Sequence, residues 1–157
     1  MAKPTIIKSA TPLTTVTNTV AETALGTITV PAFNLKTDYV IKMSVAVKTP
    51  TTNSSDTLAV KLKIGSTVLA TVAAFDAADN HVCWIRLNGL VNASTRLIHY
   101  IAEDGRTGTA ADVEEATDVA WDVNADVVIT ATAQWSVASA DNIAVAKYLT
   151  LELQPVD

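Results

Sequence analysis

Asp126–Trp135 reads DVVITATAQW. In an extended chain Val127, Ile129, Ala131, Ala133 and Trp135 share one face, and Val128, Thr130, Thr132 and Gln134 share the other. This two-residue period, with β-branched residues on both faces, is that of a strand packed on one side and partly covered on the other. Tyr148–Gln154 repeats it, with Leu149, Leu151 and Leu153 turned inward and Thr150, Glu152 and Gln154 turned outward.

The same period recurs along the chain. Thr57–Ile64 sets Leu58, Val60, Leu62 and Ile64 against Ala59, Lys61 and Lys63. Gly65 and Ser66 then form a tight turn into Thr67–Phe75, which predicts a hairpin. Tyr39–Thr49 places Ile41, Met43, Val45 and Val47 opposite Lys42, Ser44 and Ala46. His81–Val91 places Cys83, Ile85 and Leu87 opposite Val82, Trp84 and Arg86. Thr95–Ala102 does the same with Ile98 and Tyr100 against Leu97, His99 and Ile101. Shorter strands are expected at Leu13–Thr19, Thr27–Val30 and Asp118–Asp122. Turn-forming residues fill Pro50–Asp56 and Ser136–Asn142.

Two segments depart from the pattern. Glu103–Thr117 (EDGRTGTAADVEEAT) has two glycines, clustered acids and little large apolar content, so a long surface loop is expected, with a short helix over Thr109–Ala116 as the alternative. Met1–Pro12 (MAKPTIIKSATP) carries Pro4 and Pro12, which keep a chain out of regular ladders, so an extended N-terminal arm is expected over residues 1–12. Residues 13–157 then form one all-β domain of nine or ten short strands, an antiparallel sandwich or barrel.

Composition sets outer limits. The 157 residues suit a single domain, and nearly half are hydrophobic although few are aromatic. A formal charge of −5 opposes a phosphate backbone, so no nucleic-acid partner is expected, and Lys61 and Lys63 read as a solvated pair. The single cysteine, Cys83, lies in an apolar run and is expected to be a buried, inert thiol. No run of about 18 apolar residues and no signal-peptide pattern is present, which leads to the expectation of a soluble protein made in a cytoplasm, with no membrane partner.

Chemistry-bearing residues do not assemble into a reactive pattern. Asp76 with Asp79, and Asp112, Glu114, Glu115 and Asp118, lack the spacing and central glycine of an EF-hand loop and read as solvated acids. His81 and His99 fall on separate strands with no partner at zinc-ligand spacing. No serine lies in G-x-S-x-G, and no phosphate-binding glycine loop occurs. The expectation is therefore no catalytic residue, no metal, no cofactor and no enzyme. Trp135 shares the inward face of Ile129. Trp84 and Trp121 are left as candidate sugar-stacking residues.

Three segments resemble parts of tailed-bacteriophage structural proteins: ETALGTITVPAFNL (Glu22–Leu35), DTLAVKLKIGSTVLA (Asp56–Ala70) and ITATAQWSVASADNIAVAKYLTLEL (Ile129–Leu153). The resemblance implies a jelly-roll sandwich, commonly trimeric, found as a head decoration (cement) protein or as the head domain of a fibre. The expected role is that of a virion structural protein on the capsid surface, bridging neighbouring major capsid subunits through several modest contacts. Lys3, Ile6 and Ile7 are its candidate capsid contacts, and a chain beginning at Leu13 is expected to fold but to bind shells more weakly. The alternative is a receptor- or glycan-binding head domain of a tail fibre, using Trp84 or Trp121 and the acidic loop. A trimeric enzyme with a site between subunits is a third alternative.

Overall fold

The computed structural model describes residues 5–34, 36–53 and 55–156, and their side chains except those of 114–117. Among the described residues the chain is all strand and turn, without helix. The first strands are β1 (Ile6–Ser9), β2 (Thr15–Thr17), β3 (Thr23–Val30) and β4 (Tyr39–Thr49). The hairpin strands β5 (Thr57–Ile64) and β6 (Thr67–Asp76) follow, then β7 (His81–Val91) and β8 (Leu97–Arg106). Last come β9 (Asp112–Ala120), β10 (Val127–Trp135) and β11 (Ile143–Pro155). They form two antiparallel sheets packed as a jelly-roll sandwich. One is seven-stranded, ordered β1-β11-β4-β7-β8-β9 with β2 also on β11, and the other is β3-β10-β5-β6.

The inward faces are those that alternation assigns. Leu58 and Leu62 of β5, Ile129 of β10, Ile41 of β4, Ile85 and Leu87 of β7, and Leu149 and Leu151 of β11 are almost wholly buried in one core. Each such side chain contributes about 1.5–3 kcal/mol relative to an exposed one. Gly65, at φ +55°, makes the expected tight turn between β5 and β6. In β11 strict alternation from Ala144 and Ala146 would bury Tyr148. A bulge between Ala146 and Tyr148 instead leaves Lys147 and Tyr148 outside and returns Leu149 to the core.

Two expectations are corrected. Glu103–Thr117 is neither a long loop nor a helix: Glu103–Arg106 completes β8, and Asp112–Ala120 is the edge strand β9, leaving only a short turn. Polar and glycine residues on the solvent side of a half-exposed strand conceal its period, and acids along an edge strand discourage pairing with other chains. The arm expected over residues 1–12 is, from Ile6 to Ser9, part of the sandwich. Ile6 pairs with Leu153 and Ser9 with Thr150, so the two prolines flank a strand rather than prevent one.

One end of the sandwich is closed by a buried polar knot. Asn142 donates from Nδ2 to Asp56 Oδ2 at 2.8 Å and to the Val137 carbonyl at 3.1 Å. Its Oδ1 accepts from the Asn53 N–H at 2.8 Å, and Asn53 Nδ2 donates to Asp56 Oδ2 at 3.2 Å. The Pro50–Asp56 and Ser136–Asn142 turns are thereby tied together.

Candidate functional site

No grouping of three or more His, Cys, Asp or Glu able to hold a metal occurs among the described residues. His81 opens β7 and accepts at Nδ1 from the Ala78 N–H at 3.3 Å. His99 pairs with Leu90, nine residues further along β7, and lies 3.8 Å from Asp118. At about 3.3 Å per residue the two imidazoles are about 30 Å apart, too far to share a ligand. Cys83 is buried, and desolvation pushes its thiol up to about 12, so it is no nucleophile near neutral pH.

The outer face of the four-stranded sheet carries a charge cluster. Glu22 accepts from Lys61 Nζ at 2.7 Å, Lys63 Nζ at 2.9 Å and Thr132 Oγ1 at 3.0 Å. These hydrogen bonds hold its carboxyl down at about 2, from an ordinary 4.5. Because the folded value is the lower one, the cluster stabilises the fold above about pH 4.5 and that contribution fades as pH falls towards 2. The carboxylate remains 26% exposed, so solvent screening limits the contribution to about 1–2 kcal/mol. Glu22→Gln is expected to lose that amount at neutral pH and to flatten the acid limb of urea-melt stability plotted against pH. An unchanged acid limb would show that the cluster contributes nothing.

The outer face of the seven-stranded sheet is different in kind. Cross-strand register places Gly105, Trp84, Ala46 and Tyr148 in one row over β8, β7, β4 and β11. The next row runs Glu103, Arg86, Ser44 and Thr150. The third runs Ile101, Asn88, Lys42, Glu152 and Ile7, ending on β1. A shallow groove of about 270 Å³ is lined by Lys42, Ser44, Arg86, Asn88, Thr150 and Glu152, with Ile7 at one end. Trp84, half-buried, rests against Gly105: a Cβ at 105 would lie 2.5 Å from the indole. The Arg86 guanidinium lies over the indole, its carbon 4.8 Å from the centroid.

The residues singled out in the sequence meet different fates. Ile7 is 72% exposed on this face, whereas Ile6 turns the other way and packs on the core. Lys3 lies outside the described residues. Trp84 faces outward as its alternation predicts. Trp121 is corrected: it is 1% exposed and meets Phe33 edge-on, ring centroids 6.4 Å apart, so it cannot touch a glycan. It stands just beyond β9, where no run of alternation reports on direction. Missed altogether were Lys42, Ser44, Arg86, Asn88, Thr150 and Glu152 as a group. Their outward direction is legible strand by strand, but their adjacency depends on register between β4, β7 and β11.

No protein-family model and no curated protein matches the sequence. Among solved structures it is similar to the Lotus tetragonolobus seed lectin, at 7% identity and TM-score 0.47, covering 98% of this chain and 94% of that one. Lectin II from Ulex europaeus gives 10% identity and TM-score 0.40 over 96% and 92% of the two chains. Peanut lectin gives 10% and 0.43 over 98% and 92%. Values this low attach no ligand and no activity to this chain.

Proposed function

We propose that this chain is a non-catalytic virion structural protein that docks on the head shell through the outer face of its seven-stranded sheet, bridging neighbouring major capsid subunits as a homotrimer. The observation that carries this reading is a group of four exposed apolar side chains, out of nine large ones exposed among the described residues. Ile7 (72%), Val113 (67%), Ile101 (53%) and Tyr148 (39%) all stand on that one face. A soluble chain that leaves several large apolar groups on one sheet face, interleaved with charge, has the make-up of a protein contact surface. The resemblance of the three segments to phage structural proteins supports the virion setting.

The test is co-sedimentation with purified head shells. Ile7→Asp combined with Val113→Asp changes only exposed side chains, so the fold is kept, and shell affinity is expected to fall at least about tenfold, a loss of about 1.4 kcal/mol. Undiminished occupancy would remove this face from the contact.

A glycan-binding fibre head is the second reading, favoured by Trp84 standing on the outer face one row from the hydrogen-bonding side chains of the groove. Arg86 over the indole counts against it, because a sugar would have to displace the guanidinium to stack there. A glycan array separates the two: binding that is lost in Trp84→Ala supports the fibre reading, and no binding supports shell docking.

A further inference from the structure

We propose that the outer-face groove is a carboxylate-binding site, and that it receives an acidic side chain of a protein partner, with Ile7 covering an apolar neighbour of that residue. The inference deepens the shell-docking reading and rests on it for the partner's class.

Arg86 is the anchor. Its guanidinium is stacked over Trp84, and Trp84 is seated by the missing side chain at Gly105. Stacking occupies the face of a guanidinium and leaves the N–H groups, which lie in its plane, free to fork onto a carboxylate. The stack also removes rotamer freedom before any ligand arrives. One strand over, Lys42 pairs with Asn88, and Ser44 pairs with Arg86, so ammonium, amide and hydroxyl donors surround the same hollow.

The lining of this groove is cationic although the chain is not. The chain as a whole carries −5, yet the groove sets two cations against one carboxylate, Glu152 across from Lys42. Glu103 is the cross-strand neighbour of Arg86. Among the described residues, however, no salt bridge joins Arg86 or Lys42 to a carboxylate, so neither is already spent on one. Lys61 and Lys63, on the other sheet, are held by Glu22. A protein carboxylate is preferred to an acidic sugar because the groove ends at the exposed Ile7, which offers an aliphatic contact, while the indole a sugar would need lies under Arg86.

The test uses the full chain labelled with ¹⁵N and titrated with the blocked dipeptide acetyl-Leu-Glu-amide, with acetyl-Leu-Gln-amide and with glucuronic acid. The acidic dipeptide is expected to shift the Arg86 side-chain Nε–H and the Ser44 and Thr150 amides with a millimolar Kd, as suits one charged anchor on a short ligand. The neutral dipeptide is expected to shift nothing. Arg86→Ala should abolish the effect, and Arg86→Lys, which keeps the charge but loses the fork, should weaken it severalfold. Equal response to both dipeptides, or none to either, overturns the site. Glucuronic acid binding without the acidic dipeptide overturns the protein partner. Shells decorated normally by an Arg86→Ala, Lys42→Ala chain would sink this inference while leaving shell docking intact.

Discussion

Replacing Asn142 by alanine is expected to lower the free energy of unfolding by about 3 kcal/mol, a large effect for a residue in a turn. Asn142 is fully buried and Asp56 is 7% exposed. The Asn142 amide donates to the Asp56 carboxylate and the Val137 carbonyl and accepts from the Asn53 N–H. Truncation removes all three hydrogen bonds at once. It leaves a nearly buried carboxylate with Asn53 Nδ2 as its remaining side-chain donor, and a buried charge that loses a partner costs more than the bond itself was worth. Asn142→Asp is expected to be worse still, since it opposes two carboxylates. Urea melts of the two variants check this, and a loss under about 1 kcal/mol would mean that water replaces the amide without penalty.

Trp135→Ala is expected to cost about 4 kcal/mol, as suits the emptying of a buried aromatic site. Its side chain is 1% exposed and ends the inward row of β10 that begins at Val127. The indole also donates from Nε1 to the Val16 carbonyl at 3.4 Å, linking the four-stranded sheet to β2 of the seven-stranded one. Removing it opens a cavity between the sheets and unties that link. Trp135→Phe keeps much of the volume and should lose less than half as much. Thermal and urea unfolding of both variants provide the comparison, and near-equal stability of Trp135→Ala and the parent would contradict the core described here.

These two residues also show what a one-dimensional reading sees. Trp135 was legible because it sits in phase with Ile129 and Ala133 on a strand long enough to define its own face. Asn142 was not, because its value comes from Asp56, brought near by the fold from far along the chain. Strand β9 stayed hidden because an edge strand has one neighbour and needs little apolar content, so acids there look like a loop. Strand β1 was concealed by Pro4 and Pro12, although Ile6 and Ile7 already hinted at docking. Its pairing with β11 changes one expectation: a chain beginning at Leu13 would lose a sheet strand as well as a contact, exposing the edge of β11. Weaker shell binding by that chain would not isolate the contribution of Ile7, which is why the point substitutions on the outer face are the better probe.

The groove lies at the same limit. Lys42, Arg86, Thr150 and Glu152 each face outward by simple alternation, but only the β7-β4-β11 order makes them neighbours. Even the bulge beside Tyr148 matters, since it fixes which side chains of β11 reach that face.

Image reconstruction of complete virions tests the central claim most directly. The account predicts density for this sandwich on the head shell, with the seven-stranded sheet's outer face, Ile7, Arg86 and Val113 included, turned onto capsid subunits. Density at the tail, or on the head with that face turned to solvent, would contradict it.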